Sequence, residues 1–219
     1  MTNVEMIDLL GLRLEDPDKK AFSSSSRYKA LNVAQLTICN LIDNALLTEL
    51  EHSEDLTAGA TGKILISSLT YIPIRNGIYA VENNSSSVSA FLNLIEFKDI
   101  KRLENSYLQA STNNPIGYIF ANTIYIKPAS ADACTIYYLR KPVDISEGQD
   151  SELDESLHEV VVDLAEAQLW RMDGQYDRAN ASVTMAQGII TALNTRLGLE
   201  KPQGVGTYGR ISPASTTGA

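Results

Sequence analysis

Two histidines, two cysteines and one glycine-rich run are the first places in this 219-residue chain to look for chemistry. His52 and His158 could ligate a metal or shuttle a proton, but neither has a second His or Cys at ligand spacing. Glu155, His158 and Glu159 do not form His-Glu-x-x-His, the pattern that sets two imidazoles on one helical face beside a general base. The acids from Glu152 to Glu159 read instead as a solvated first turn of a helix. Cys39 and Cys134 each sit among apolar neighbours and read as reduced core thiols. Two such cysteines build neither a zinc site nor a disulfide framework. Gly204, Gly206 and Gly209 spell Gly-x-Gly-x-x-Gly, yet no strand precedes them and no helix follows, so they are not a phosphate cradle. Tyr137-Tyr138 reads as strand filling. No nucleophile elbow or Walker loop occurs. The expectation is therefore no catalytic residue, no cofactor and no metal.

Composition narrows the classes further. The formal net charge is −9, and no basic run exceeds two residues. Affinity for DNA comes from clustered Lys and Arg at phosphates, so sequence-specific or tight DNA binding is not expected. No apolar stretch approaches the roughly 18 residues of a membrane span. Met1-Thr2-Asn3-Val4-Glu5 lacks the features of a signal peptide, so folding in a cytoplasm is expected. Hydrophobic residues make up 44%, enough at this length for a real core without staples.

The elements follow from pattern. Thr2-Asn3-Val4-Glu5 is a capping box opening a helix that stops before Asp16-Pro17. Ser23 to Ser26 offer caps for a second helix, read from Arg27 to Leu50. Between Ala30 and Thr48 only Asp43 is charged, so that helix should be buried on most sides, partly by a neighbouring subunit. Leu36 and Leu47 are the candidate interface positions. From about Ala58 to Pro142 short alternating runs read as strands, including a hairpin at Ala121-Asn122 and a strand from Cys134 to Leu139. Two helices follow, broken at Asp173-Gly174, with Gly198 as a natural cap. The fold class expected is α+β: mainly a helical bundle of two N-terminal and two C-terminal helices, with a small inserted antiparallel β region and an extended tail. The domains expected are 1–57 with 143–198, the insertion 58–142, and an arm 199–219. The arm is too glycine-rich to bury its own core. Tyr208, Arg210 and Ile211 are its candidate docking anchors, because a merely solvating tail needs no aromatic.

The order of these elements resembles the head-to-tail adaptor (connector) proteins of tailed phages, over roughly Met1 to Leu197. Leu12-Arg13-Leu14-Glu15-Asp16 looks like the family's Arg-Leu-Asp-Asp opening. Asn114-Pro115-Ile116-Gly117-Tyr118 is similar to its Pro-x-x-Tyr step into a hairpin, and Thr123 to Ala129 to the strand that ends in Pro. Thr135 to Pro142 resembles the strand with paired Tyr. Leu153 to His158, Ala165-Glu166-Ala167 and Asp177-Arg178-Ala179 look like the last two helices. Phe22-Ser23-Ser24-Ser25 stands where the family often has a Trp-Ser/Thr-Asp cap.

The resemblance implies a structural virion protein rather than an enzyme: a homo-oligomeric ring, usually a dodecamer, between the portal protein and a downstream tail or neck protein. DNA would pass through it without sequence-specific binding, and no membrane would be involved. Its place would be the virion neck, with assembly in the host cytoplasm. The alternatives are another neck or tail component, such as a head completion or tail terminator protein, or a small enzyme or ligand-binding module. The first two expectations part from the last at one test. Chelation should leave the melting temperature unchanged, and a shift of many degrees would point to a resident metal.

Overall fold

The computed structural model describes residues 1–84, 89–104 and 109–200. Helix α1 (Asn3–Arg13) starts at the expected box: the Thr2 hydroxyl accepts from Glu5 N and the Glu5 carboxylate accepts from Thr2 N at 2.7 Å. Helix α2 (Ser24–Leu41) is capped by Ser23. Helix α3 (Glu155–Met172) is capped by Asp154, and Gly174 in the left-handed region turns the chain into α4 (Tyr176–Glu200). Helix α3 packs on α1, α2 and α4 and is buried along most of its length. Its Leu157, Val160, Val161, Val162 and Ala165 are fully enclosed.

Among the described residues eight strands lie between α2 and α3: β1 (Glu51–Thr57), β2 (Lys63–Leu65), β3 (Pro73–Asn84), β4 (Ser89–Phe91), β5 (Asn93–Leu94), β6 (Ile116–Phe120), β7 (Thr123–Lys127) and β8 (Ala133–Arg140). They form two four-stranded sheets, ordered β1-β8-β3-β4 and β2-β7-β6-β5. The first is antiparallel throughout; in the second, β5 runs parallel to β6. Val81, Cys134, Ile136 and Tyr138 of one sheet share a core with Ile64, Ile124 and Ile126 of the other. Alternation decides this: Cys134, Ile136 and Tyr138 point inward while Thr135 and Tyr137 do not. At Ala121-Asn122 both residues have positive φ, the geometry of a tight two-residue hairpin.

The fold is therefore not a helical bundle with a small β insertion. Among the described residues it is a mixed α+β structure with four α-helices and two sheets, and the reasons for the misreading are local. The second helix ends at Leu41, not Leu50. Asp43 caps a 3-10 turn through Ala45 N at 3.0 Å, and a second short turn follows at Thr48–Leu50. The apolar residues there still enter the core, because turns bury Leu47 and Leu50 as completely as a helix would. Leu41 O, an orphan carbonyl at a helix end, accepts from Asn194 Nδ2 at 3.0 Å, and Asn194 Oδ1 accepts from Asp43 N at 2.8 Å. Strand β1 (Glu-His-Ser-Glu-Asp-Leu-Thr) shows no apolar alternation, because it is an edge strand, and edges are commonly protected by charge.

Charge also holds the helices. Arg13 of α1 reaches three acids on α3: Asp163, Glu159 at 3.1 Å and Glu166 at 3.7 Å. Asp163 is almost wholly buried. Burial pushes its carboxyl above the usual range, and Arg13 opposes that shift. Arg13→Met leaves a buried carboxylate without its cation, which costs about 3–5 kcal/mol. A group whose folded pKa is raised favours folding as the pH falls. The deficit of Arg13→Met against wild type, read by urea denaturation, should therefore be larger at pH 7 than at pH 5.

Candidate assembly surface

Strand β6 carries three large apolar residues in a row, Tyr118, Ile119 and Phe120. A strand has two faces, so a core on one side cannot cover all three. Ile119 points the same way as its buried partner Ile124, and Phe120 lies on the other face. Phe97, opening a 3-10 helix at Phe97–Glu104, stacks on Phe120 with ring centroids 4.2 Å apart and planes at 15°. Tyr118 stacks on Tyr125 across the β6–β7 pair at 4.8 Å and 4°. Lys63 Nζ lies 5.4 Å from the Tyr125 centroid.

Between this edge and the segment Tyr71-Ile72-Pro73 runs an open groove of about 1000 Å³. Ile66, Leu69, Ile78, Leu94 and Ile119 form its apolar interior, with Ile72, Phe97 and Phe120 at the margin. Ile72 is 71% exposed, Phe97 50% and Phe120 46%. Glu96 is the only charged residue lining it, and it pairs with Lys98 at 2.5 Å. A ligand pocket of this size needs a few converging polar groups to orient a substrate. This groove is mixed: Ser67, Tyr71, Glu96 and Asn122 line it beside the apolar residues, and its distinguishing feature is that Ile72, Phe97 and Phe120 stand exposed along it.

The residues singled out by type are scattered. His158 is buried, its Nε2 2.8 Å from Leu153 O and its Nδ1 2.9 Å from the Met1 amine. His52 lies on β1 rather than at a helix end, edge-on to Tyr71 and Tyr138. Of the acids near α3, Asp154, Glu155 and Glu159 are exposed as a solvated first turn would have them, and Glu152 is the exception. Glu152 makes a two-pronged pair with Arg140 at 2.7 and 2.9 Å and accepts from Val143 N at 2.7 Å. The Arg140 bond holds the Glu152 carboxyl below its ordinary value. Tyr137 and Tyr138 donate to Glu82 and Glu54. Among the described residues no three His, Cys, Asp or Glu side chains come together as a metal site. No helix is long and apolar enough to cross a membrane among them.

Of the two interface candidates, Leu36 is half-buried against the helical core. Leu47 is enclosed in the subunit's own core, because the 3-10 turns after Leu41 bring it inward; it has no surface to offer a neighbour. On α2 the exposed apolar residues are Val33 and Leu41, each 50% exposed and eight positions apart on one face. Helix α4 runs through Glu200, past Gly198 and two residues into the stretch read as an arm. Tyr208, Arg210 and Ile211 lie outside the described residues. The groove residues went unselected in the sequence, although Tyr118-Ile119-Phe120, apolar on both faces of a strand, was a usable signal.

Cys39 and Cys134 are free and fully buried. Burial pushes each thiol up to about 11. Neither should react with a thiol-specific reagent at pH 8 in the folded protein, and both should react in denaturant, as counted by absorbance.

No curated protein matches this chain. The family model described as SU10 adaptor protein matches residues 1–211, nearly the whole sequence. The chain belongs to the SU10 adaptor protein family and is thus a phage adaptor, a component of the virion.

Proposed function

We propose that this protein is the subunit of a ring, of twelve copies, that joins the portal protein to a downstream tail or neck protein and extends the DNA channel. The observation that carries the reading is the family match over residues 1–211, with an open groove bordered by exposed Ile72, Phe97 and Phe120 beside it. A protein that works by docking must leave apolar surface uncovered until its partners arrive. Its net charge suits a channel wall: an acidic surface lets DNA pass without phosphate capture. Val33 and Leu41 on α2, with Leu36 beside the core, are proposed contacts between subunits.

Residues 201–219 act in this reading as an assembly arm anchored by Tyr208, Arg210 and Ile211, Tyr and Arg being frequent interface anchors. Among the described residues, the buried members of both hydrophobic cores lie between Met6 and Ile190. Deleting 201–219 should leave the melting temperature within a degree or so of the full chain, since surface changes away from packed features are within about 0.5 kcal/mol. Attachment to purified portal-containing heads, scored by electron microscopy, should weaken. Should the truncated chain decorate heads as well as the full one, the arm has no part in assembly. If the full chain forms no ring on portals, the connector reading itself fails.

A further inference from the structure

The second sheet has an unfinished edge. Strand β5 pairs with β6 only at Ile116 and Gly117. Ile95 N donates to Gly117 O at 2.9 Å, so Gly117 faces the β5 side. On β7, its partner Ile126 turns the other way and donates to Gly62 O at 2.7 Å. Backbone direction repeats every two residues in such a ladder. The N–H and C=O of Ile119 therefore face the same side as Gly117, and β5 has already ended at Leu94. No strand lies beside Ile119 among the described residues. The apolar groove runs along this open stretch. A backbone edge with side-chain pockets beside it is what an added strand requires.

We propose that this edge and groove receive residues 201–219 of a second copy of this chain as an added strand. The proposal rests on the ring reading above, because it names the seat of the arm. Three observations favour this occupant. First, the arm is chemically complementary: it holds two of the 18 basic residues, Lys201 and Arg210, and none of the 27 acidic ones, so residues 1–200 carry −11.

Second, its sequence suits pairing. Residues 203–212 contain no proline, and Gly204, Gly206 and Gly209 allow close backbone approach. In an extended strand Tyr208 and Arg210 share one face and Ile211 takes the other. The edge offers the Phe97–Phe120 stack on one face and Ile119 on the other.

Third, the arm starts nearby. Asn194 of α4 bonds Leu41 and Asp43, and Arg75 of β3 bonds Ile42 and Asn44, so α4 ends on the side where β3 begins and where Pro73 borders the groove. Nineteen extended residues reach about 60 Å, enough to cross to an adjacent subunit. Donor and acceptor are separate surfaces of one chain. Contacts of that kind are head-to-tail, the type from which rings close.

The test uses two full-length chains with different tags, one carrying Tyr208→Cys and the other Phe97→Cys, mixed and mildly oxidised. The native thiols are buried and do not interfere. Disulfide-linked hetero-pairs should form in at least about tenfold excess over a control pair with the cysteine at Met185, which is exposed on α4, tenfold corresponding to about 1.4 kcal/mol of preference for the seat. Adding Ile119→Pro to the acceptor removes the open-edge N–H without touching the β6–β7 ladder and should bring the yield down to the control. Yields equal to the control from the start overturn the proposal. So does a chain carrying both cysteines that links only within itself at every concentration, since the arm would then dock on its own subunit. Portal-bound rings without the cross-link reject the groove and leave the ring reading standing; cross-linked open chains that never close on portals reject the ring and leave the groove.

Discussion

Everything between the helices depends on one pairing, β1 against β8. It runs antiparallel from Glu51↔Leu139 to Thr57↔Ala133. The chain leaves the helical core through β1 and returns to it through β8, so the exit and the return are zipped together by main-chain bonds over seven residue pairs. At the helical end the seam is closed by side chains that belong to the helical core: Leu50 before β1, Leu139 on β8 and Ile74 on β3 all join that cluster. Arg140 then locks to Glu152 as the chain turns toward α3. Without the pairing, more than eighty residues would form a floppy excursion between α2 and α3. With it, two cores form one after the other along a shared strand.

The helical end is organised by a different economy of charge. Arg27 of α2 is 1% exposed and donates to Phe22 O, Ile7 O and both the carbonyl and the carboxylate of Asp16. The Asp16 carboxylate in turn accepts from the N–H groups of Phe22, Lys20 and Ala21. Those bonds, the one to Phe22 first, hold its carboxyl down at about 2. A buried guanidinium is tolerated because its fork is filled. Its position explains Gly11: a Cβ there would come within 2.5 Å of Arg27 Nη1. The loop between α1 and α2 is thus fixed by the Asp16–Arg27 pair and its main-chain bonds together with Leu14 and Phe22, which pack into the helical core, and Arg13 ties α1 to α3. At the α1–α2 and α1–α3 joints these ion pairs add to apolar packing, since Met6, Ile7 and Leu10 of α1 belong to the same core as α2, α3 and α4.

The sequence made legible whatever obeyed a local rule. The capping box at Thr2, the cap at Ser23, the break at Asp173-Gly174, the hairpin at Ala121-Asn122 and the strand through Cys134 all rest on short-range physics and all stand where expected. What failed needed tertiary context. Apolar residues after Leu41 look helical by spacing, yet Asp43 and Asn44 turn the chain, and its carbonyl is satisfied 153 residues away by Asn194. Strand β1 carries edge charge instead of alternation, so nothing local announces it. Glu152 looks like one acid among several until Arg140 arrives from β8. The groove is a joint product of two sheets and a 3-10 helix, and only the doubly apolar run at Ile119 hinted at it.

The two halves of the molecule then divide the work of an adaptor. The helical core is dense and internally satisfied, and its exposed apolar residues stand singly or in one narrow stripe, as on most soluble proteins. In the β region Ile72, Phe97, Ile119 and Phe120 gather exposed apolar surface along one open edge, where a backbone donor and acceptor also wait, while Leu65 and Phe91 stand exposed elsewhere. A contact of that size is weak for one pair of subunits, because association costs several kcal/mol of lost translational and rotational freedom. A closed ring changes the arithmetic. Once all but one contact has formed, the last is intramolecular, and its effective concentration is set by geometry rather than by the pool of free subunits. In the ring proposed above, a modest edge repeated at every joint can therefore hold firmly.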